Sequence, residues 1–138
     1  MFRVASGPTA QFFEVRTMAG LTRRSTEEVL DDHLRCRMAG DIEGDIHRNY
    51  APDVVILTSI RPAQGHEAVR EFDTILRKYV PDHYEIPVKF VEGPYAFNEW
   101  RAREPGRSVD DGADSFVIMD GKIVFQSIQY TLQTMMPE

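Results

Sequence analysis

Apolar residues recur along this chain with two different periods, and the change between them divides it. Ser25-Thr26-Glu27-Glu28 forms a capping box, in which the serine oxygen takes a free backbone N–H and the glutamate reaches back. Leu30, Leu34 and Met38 then recur every fourth residue, with Val29 and His33 beside them, and Gly40 closes a predicted first helix. Asp41 caps a second, shorter helix carrying Ile42, Ile46 and Tyr50 on one stripe, and Pro52 stops it. Residues 53–59 read as a strand whose unbroken Val54-Val55-Ile56-Leu57 run predicts burial on both faces. Arg61 to Gly65 reads as a loop. A third helix follows over about 66–80, with Val69, Phe72, Leu76 and Tyr79 on its apolar face and Pro81 as its end.

Beyond Pro81 the period shortens to two. Tyr84, Ile86, Val88 and Phe90 alternate with polar residues, Gly93-Pro94 turns the chain, and residues 95–104 return as a strand bearing Trp100. After Pro105-Gly106, two β-rich runs flank Asp120-Gly121, a strong hairpin signal. A two-residue turn pairs Ile118 with Ile123, Phe116 with Phe125 and Asp114 with Ser127. It puts Gln129 on the Asp114 face and Tyr130 on the other. Both faces of this hairpin are substantially apolar, whereas a sheet with one wet face alternates cleanly. The outer face is therefore expected to meet a second copy, giving a homodimer. Helices early and a strand meander late predict an α+β fold, a curved antiparallel sheet wrapped around three N-terminal helices. Residues 1–24 show no clean period and read as an N-terminal extension, either a loose tail or a segment whose Phe12 and Phe13 dock on a partner subunit. The domain proper is 25–138.

Composition narrows the classes. With 138 residues, 42% hydrophobic and 28% charged, the chain has the means for one folded domain. No run approaches a membrane span, and the start lacks the pattern of a secretory leader. The net charge is −6 and the 16 basic residues are scattered, which disfavours nucleic acid as a partner. The single cysteine, Cys36, fits a reducing, cytoplasmic setting.

Few residues then stand out for chemistry. His33 is either a hydrogen-bonded core histidine or an acid/base group. Asp114 either sits at a bulge that Gly112 invites, or is a pocket acid whose pKa burial raises. Glu99 and Trp100 point to opposite faces, so at most one of them enters an interior. Trp100 reads as a pocket wall or as core, Tyr50 as core or ligand contact, and Gln129 as a ligand contact. The other histidines, at 47, 66 and 83, share no metal spacing, and no phosphate loop is present, so no metal or cofactor is expected.

Four stretches carry a resemblance: A-G-D-I-E-G-D at 39–45, Y-A-P-D-V-V-I at 50–56, G-H-E-A-V-R-E-F at 65–72 and D-G-A-D-S-F-V-I-M-D-G-K-I at 111–123. Their order and spacing resemble the nuclear transport factor 2-like superfamily, and within it the SnoaL-like and ketosteroid-isomerase-like proteins. The resemblance implies a cone-shaped barrel with an apolar small-molecule pocket at its open end. It implies that Asp114 occupies the place of a protonated, oxyanion-binding aspartate, and that His33 occupies the place of its partner tyrosine. Thr58 falls where the isomerases carry their base, and a threonine cannot act as a carboxylate. Phe116 and Thr58 join Trp100, Gln129 and Tyr50 as implied pocket contacts. Since the superfamily hosts both catalysts and binders, two functions follow. One is proton-transfer chemistry of isomerase, cyclase or dehydratase type on an apolar, carbonyl-bearing molecule. The other is a non-catalytic ligand-binding or protein-interaction module.

Overall fold

The computed structural model describes residues 23–135; the expectations for Phe12 and Phe13 lie outside them. Among the described residues the order is α1 (Thr26–Ala39), α2 (Ile42–Asn49), β1 (Tyr50–Thr58), β2 (Pro62–Gln64), α3 (His66–Tyr79), β3 (Tyr84–Glu92), β4 (Tyr95–Glu104), β5 (Arg107–Met119), β6 (Lys122–Gln129) and β7 (Leu132–Thr134). The architecture is α+β: three helices on the concave side of a curved, unclosed sheet. The capping box at Ser25 is formed in both directions, and Gly40 ends α1 in the left-handed region at φ 73°.

The sheet order is β2-β1-β6-β5-β4-β3, with β7 added to β5. It is mixed rather than wholly antiparallel, because β1 runs parallel to β6. The parallel pair is possible because residues 59–121 intervene and allow the chain to cross over. Two smaller differences lie nearby. The predicted loop after Arg61 contains β2, an edge strand against β1. Tyr50, expected on the second helix, already opens β1, and Pro52 sits within that strand where the register breaks. Nor is β1 buried on both faces. Val54 and Ile56 are buried while Val55 and Leu57 are 38% and 43% exposed.

Register shifts decide which side chains face inward. In β3 a shift between Glu85 and Val88 breaks the expected alternation, so Phe90 is 70% exposed and Val91 packs on the core. In β5 an extra residue lies between Gly112 and Val109, opposite Trp100 and Ala102. In β6 the hairpin begins in the expected register, Ile118 to Ile123, then slips, so that Val117 meets Phe125, Phe116 meets Gln126 and Asp114 meets Ile128. An extra residue bends and twists a strand, which curves the sheet over the helices. The hairpin turn itself has Asp120 and Gly121 at φ 54° and 75°, the left-handed pair that Asp-Gly favours.

Two apolar clusters fill the concave side. The larger joins Val29 and Leu30 of α1, Ile46 of α2 and Phe72 of α3 to Val54, Phe116 and Ile123 of the sheet. The smaller gathers Val80, Trp100, Ala102 and Val109, with Leu76, Tyr84 and Tyr130 against them.

Candidate functional site

Where the two clusters meet, the apolar packing is interrupted by buried polar side chains around a small cavity. Its volume is about 60 Å³, and His33, Tyr50, Asn98, Trp100, Asp114 and Gln126 line it among aliphatic and aromatic neighbours. At roughly 10–15 Å³ per water on this measure, it holds a few waters or the core of a small organic molecule. Arg37, Met38, Asp73 and Tyr84 line both this cavity and an adjoining surface groove, and so mark its mouth.

His33 is placed by α1 one turn after Val29 and is buried. Its Nδ1 lies 2.8 and 3.1 Å from the carboxylate oxygens of Asp45 on α2. A carboxylate only accepts, so Nδ1 carries a proton and donates it. The ring packs edge-on against Tyr50 and Phe116, which fixes its plane. Asn49 Nδ2 donates to Asp45 at 2.8 Å, and Arg24 Nη1 donates to Asn49 Oδ1 at 2.7 Å. The carboxylate that aims His33 is thus itself held. Nε2, across the ring from Asp45, is the nitrogen left for the cavity.

Asp114 enters from β5. Trp100 Nε1 donates to Oδ1 and Gln126 Nε2 donates to Oδ2, each at 3.0 Å. Tyr50 donates its hydroxyl to Gln126 Oε1, which turns the amide nitrogen toward Asp114. Burial pushes the Asp114 carboxyl above the usual range, although the hydrogen bonds from Trp100 and Gln126, and His33 whenever its ring is protonated, pull the other way. Burial also keeps the Tyr50 phenol protonated, raising it well above its ordinary value. Gly112 permits this arrangement. A Cβ there would lie 2.3 Å from Trp100 Cδ2 and Cε2, so the indole lies directly on the glycine backbone.

His33, Asp114, Trp100 and Tyr50 are therefore brought together around one cavity. Phe116 supports His33 from the core rather than lining the space. Of the pair in question, Trp100 turns inward and Glu99 outward. Gln129 and Ser127 do not join Asp114: the slip in β6 puts Gln126 and Ile128 on the cavity side and carries Tyr130 onto Trp100. Thr58 lies at the end of β1 and its hydroxyl accepts from Ile60 N and Arg61 N, within a side pocket it shares with Tyr130. Site residues not anticipated from sequence include Asn98 and Gln126 in the cavity wall and Asp45, which lies behind His33 outside the cavity. For Asp45 the available signal was its place beside Ile46 and Asn49 on the inner stripe of α2.

A family model described as SnoaL-like domain matches residues 30–126, from α1 into β6. The chain belongs to the SnoaL-like domain family. This SnoaL-like chain is similar to an NTF-2 like protein of unknown function from Burkholderia xenovorans. The two share 18% identity at a TM-score of 0.66, covering 81% of this chain and 87% of that one. A protein from Mesorhizobium loti, provisionally named a SnoaL-like polyketide cyclase, shares 17% identity at a TM-score of 0.56, covering 76% and 98%. One from Kribbella flavida, provisionally named a ketosteroid isomerase, shares 14% at 0.64, covering 82% of each. At these identities the likeness is one of fold. No curated protein matches the chain. Among the described residues, no group of three or more His, Cys, Asp or Glu is placed to hold a metal ion, and no helix is long and apolar enough to cross a membrane.

Proposed function

We propose that this SnoaL-like domain binds a small, mainly apolar molecule with a carbonyl group and moves a proton on it. The observation that carries the proposal is the placement of His33. Its Nδ1 is tied to Asp45, and the ring lines the same cavity as the Asp114 carboxyl. A base held in one tautomer by a carboxylate is a recurring acid/base arrangement. Here it supplies the function that Thr58 cannot. In this scheme Nε2 takes a proton from the carbon next to the carbonyl, and the electron pair moves onto the carbonyl oxygen. Asp114, whose carboxyl burial shifts toward its protonated form, is placed to donate a hydrogen bond to that oxygen. His33 then returns the proton to another carbon for an isomerisation, or to a departing hydroxyl for a dehydration. The apolar walls exclude water.

The test is a thermal-shift screen of small ketones and enones, followed by incubation of each hit in D2O. Deuterium uptake next to the carbonyl is expected with the native chain and is lost in His33→Ala. A stabilising ligand indifferent to both His33→Ala and Asp114→Ala sinks the site assignment. Binding that depends on both residues, with no uptake or turnover, favours the second reading, a ligand-binding module. The commitment of Thr58 to its turn supports that alternative.

The proposal includes a homodimer through the outer sheet face and, from the single cysteine, a cytoplasmic setting. Phe90 and Tyr95 at 70% and 61% exposure, with Val55 and Leu57, leave an apolar surface of the kind that a partner copy covers.

A further inference from the structure

Apart from His33 Nε2, left open for chemistry, most polar groups around the cavity are paired within the chain. Both oxygens of Asp114, both ends of the Gln126 amide, the Tyr50 hydroxyl and the Trp100 N–H all have partners. Asn98 does not follow them. It is 1% exposed and lines the cavity, yet its Oδ1 is the one fully buried side-chain nitrogen or oxygen atom without a hydrogen-bond partner among the described residues. A buried acceptor left unpaired costs about 1–3 kcal/mol. The surroundings offer no structural reason to carry that cost, since Leu34, Ile86 and Ile128 line the same space and an aliphatic side chain suits it. An unpaired group of this kind calls for a partner, and beside a cavity that partner is a water or a group of a ligand that displaces it.

The position of Asn98 says what the partner must offer. On β4 it stands directly opposite Asp114 on β5, so the two side chains rise from neighbouring strands on the same face. Directly opposed residues have Cβ atoms roughly 5 Å apart. An amide oxygen accepts and carries no charge, so it matches a neutral donor, a hydroxyl or an N–H. Building on the reading that the cavity holds a carbonyl at His33 and Asp114, we propose that Asn98 is a specificity residue. It receives a hydroxyl or N–H that the ligand bears one or two carbons from its carbonyl. The preferred ligand is then a hydroxyketone or its amino analogue rather than a simple ketone, because only such a molecule pairs both polar positions at once.

The matched probes are acetoin (3-hydroxybutan-2-one) and butan-2-one, which differ by one hydroxyl. Trp100 is the single tryptophan, and its indole N–H donates to Asp114, so its nuclear magnetic resonance cross-peak reports binding in the cavity. Acetoin is expected to bind about fivefold more tightly than butan-2-one, the value of one ordinary hydrogen bond. In Asn98→Leu that preference disappears, while the ligand-free thermal midpoint stays level or rises because an unpaired group has gone. Asn98→Ala is expected to lose the preference too, and serves if the leucine variant folds poorly. Equal affinity for the two probes, or a preference that survives in either variant, overturns the assignment. If butan-2-one still binds and His33→Ala weakens it, the cavity reading stands and only the role of Asn98 falls. If neither probe moves the indole peak, both fall.

Discussion

Position 33 shows how a residue type acquires a role from what surrounds it. In sequence, His33 is a histidine on an apolar stripe. In space one nitrogen is committed to Asp45, twelve residues away across a helix break, and the other is left for a cavity. Asp45→Asn should therefore alter the histidine before it alters the fold. In the native chain, long-range 15N correlation spectra should place the proton of the neutral ring on Nδ1. In the variant they should show a mixture of tautomers, because an amide can donate as well as accept. An unchanged Nδ1–H form removes Asp45 from the mechanism.

Asp114 gives a signed pH dependence. Its carboxyl titrates higher folded than unfolded because of burial. Between those two values the native state binds more protons, so its stability falls as pH rises. Below the unfolded value, near 3.8, no further change comes from this group. The thermal midpoint of Asp114→Asn relative to the native chain should accordingly climb as pH is raised through the acid range, whatever constant offset the amide introduces. A relative midpoint that instead declines with pH contradicts the buried-acid reading.

At the scale of elements, the strands were legible but their registers were not. Capping and period gave the three helices nearly to the residue, because a helix depends on neighbours within four positions. The Asp-Gly turn also formed as read. Yet Gln126 rather than Gln129 reaches Asp114, because one extra residue in β6 reverses every side chain beyond it. Such a residue is tolerated or not by the strands alongside, so no local pattern announces it. Gly112 is the position where element and site meet. Gly112→Ala would force the Trp100 ring off the β5 backbone and away from Asp114. The expected loss is about 1–3 kcal/mol, typical of overpacking. Because Trp100 is the single tryptophan, its fluorescence should change with it. A variant of native stability and unchanged emission disproves the close packing.

For the whole molecule, the outer face of the sheet carries exposed apolar side chains that the fold itself does not cover. Val55 pairs in register with Phe125, and Phe125 with Val117, so apolar side chains run across β1, β6 and β5 on the side away from the helices. Val55→Glu, at a position already part-exposed, should leave the monomer folded and turn a dimer into a monomer. Sedimentation velocity at micromolar concentration reads this directly, and a native chain that sediments as a monomer ends the proposal. On its own, the order of residues determined the helices, the strand meander, the Asp-Gly hairpin and the interest of His33 and Asp114. Each of these rests on interactions close along the chain or on residue type. Tertiary structure alone decided the parallel pairing of β1 with β6, the slip that turns Gln126 inward, and the meeting of His33 with Asp45. Those depend on which distant segments share the limited space beneath a curved sheet, and that is set only when every element packs at once.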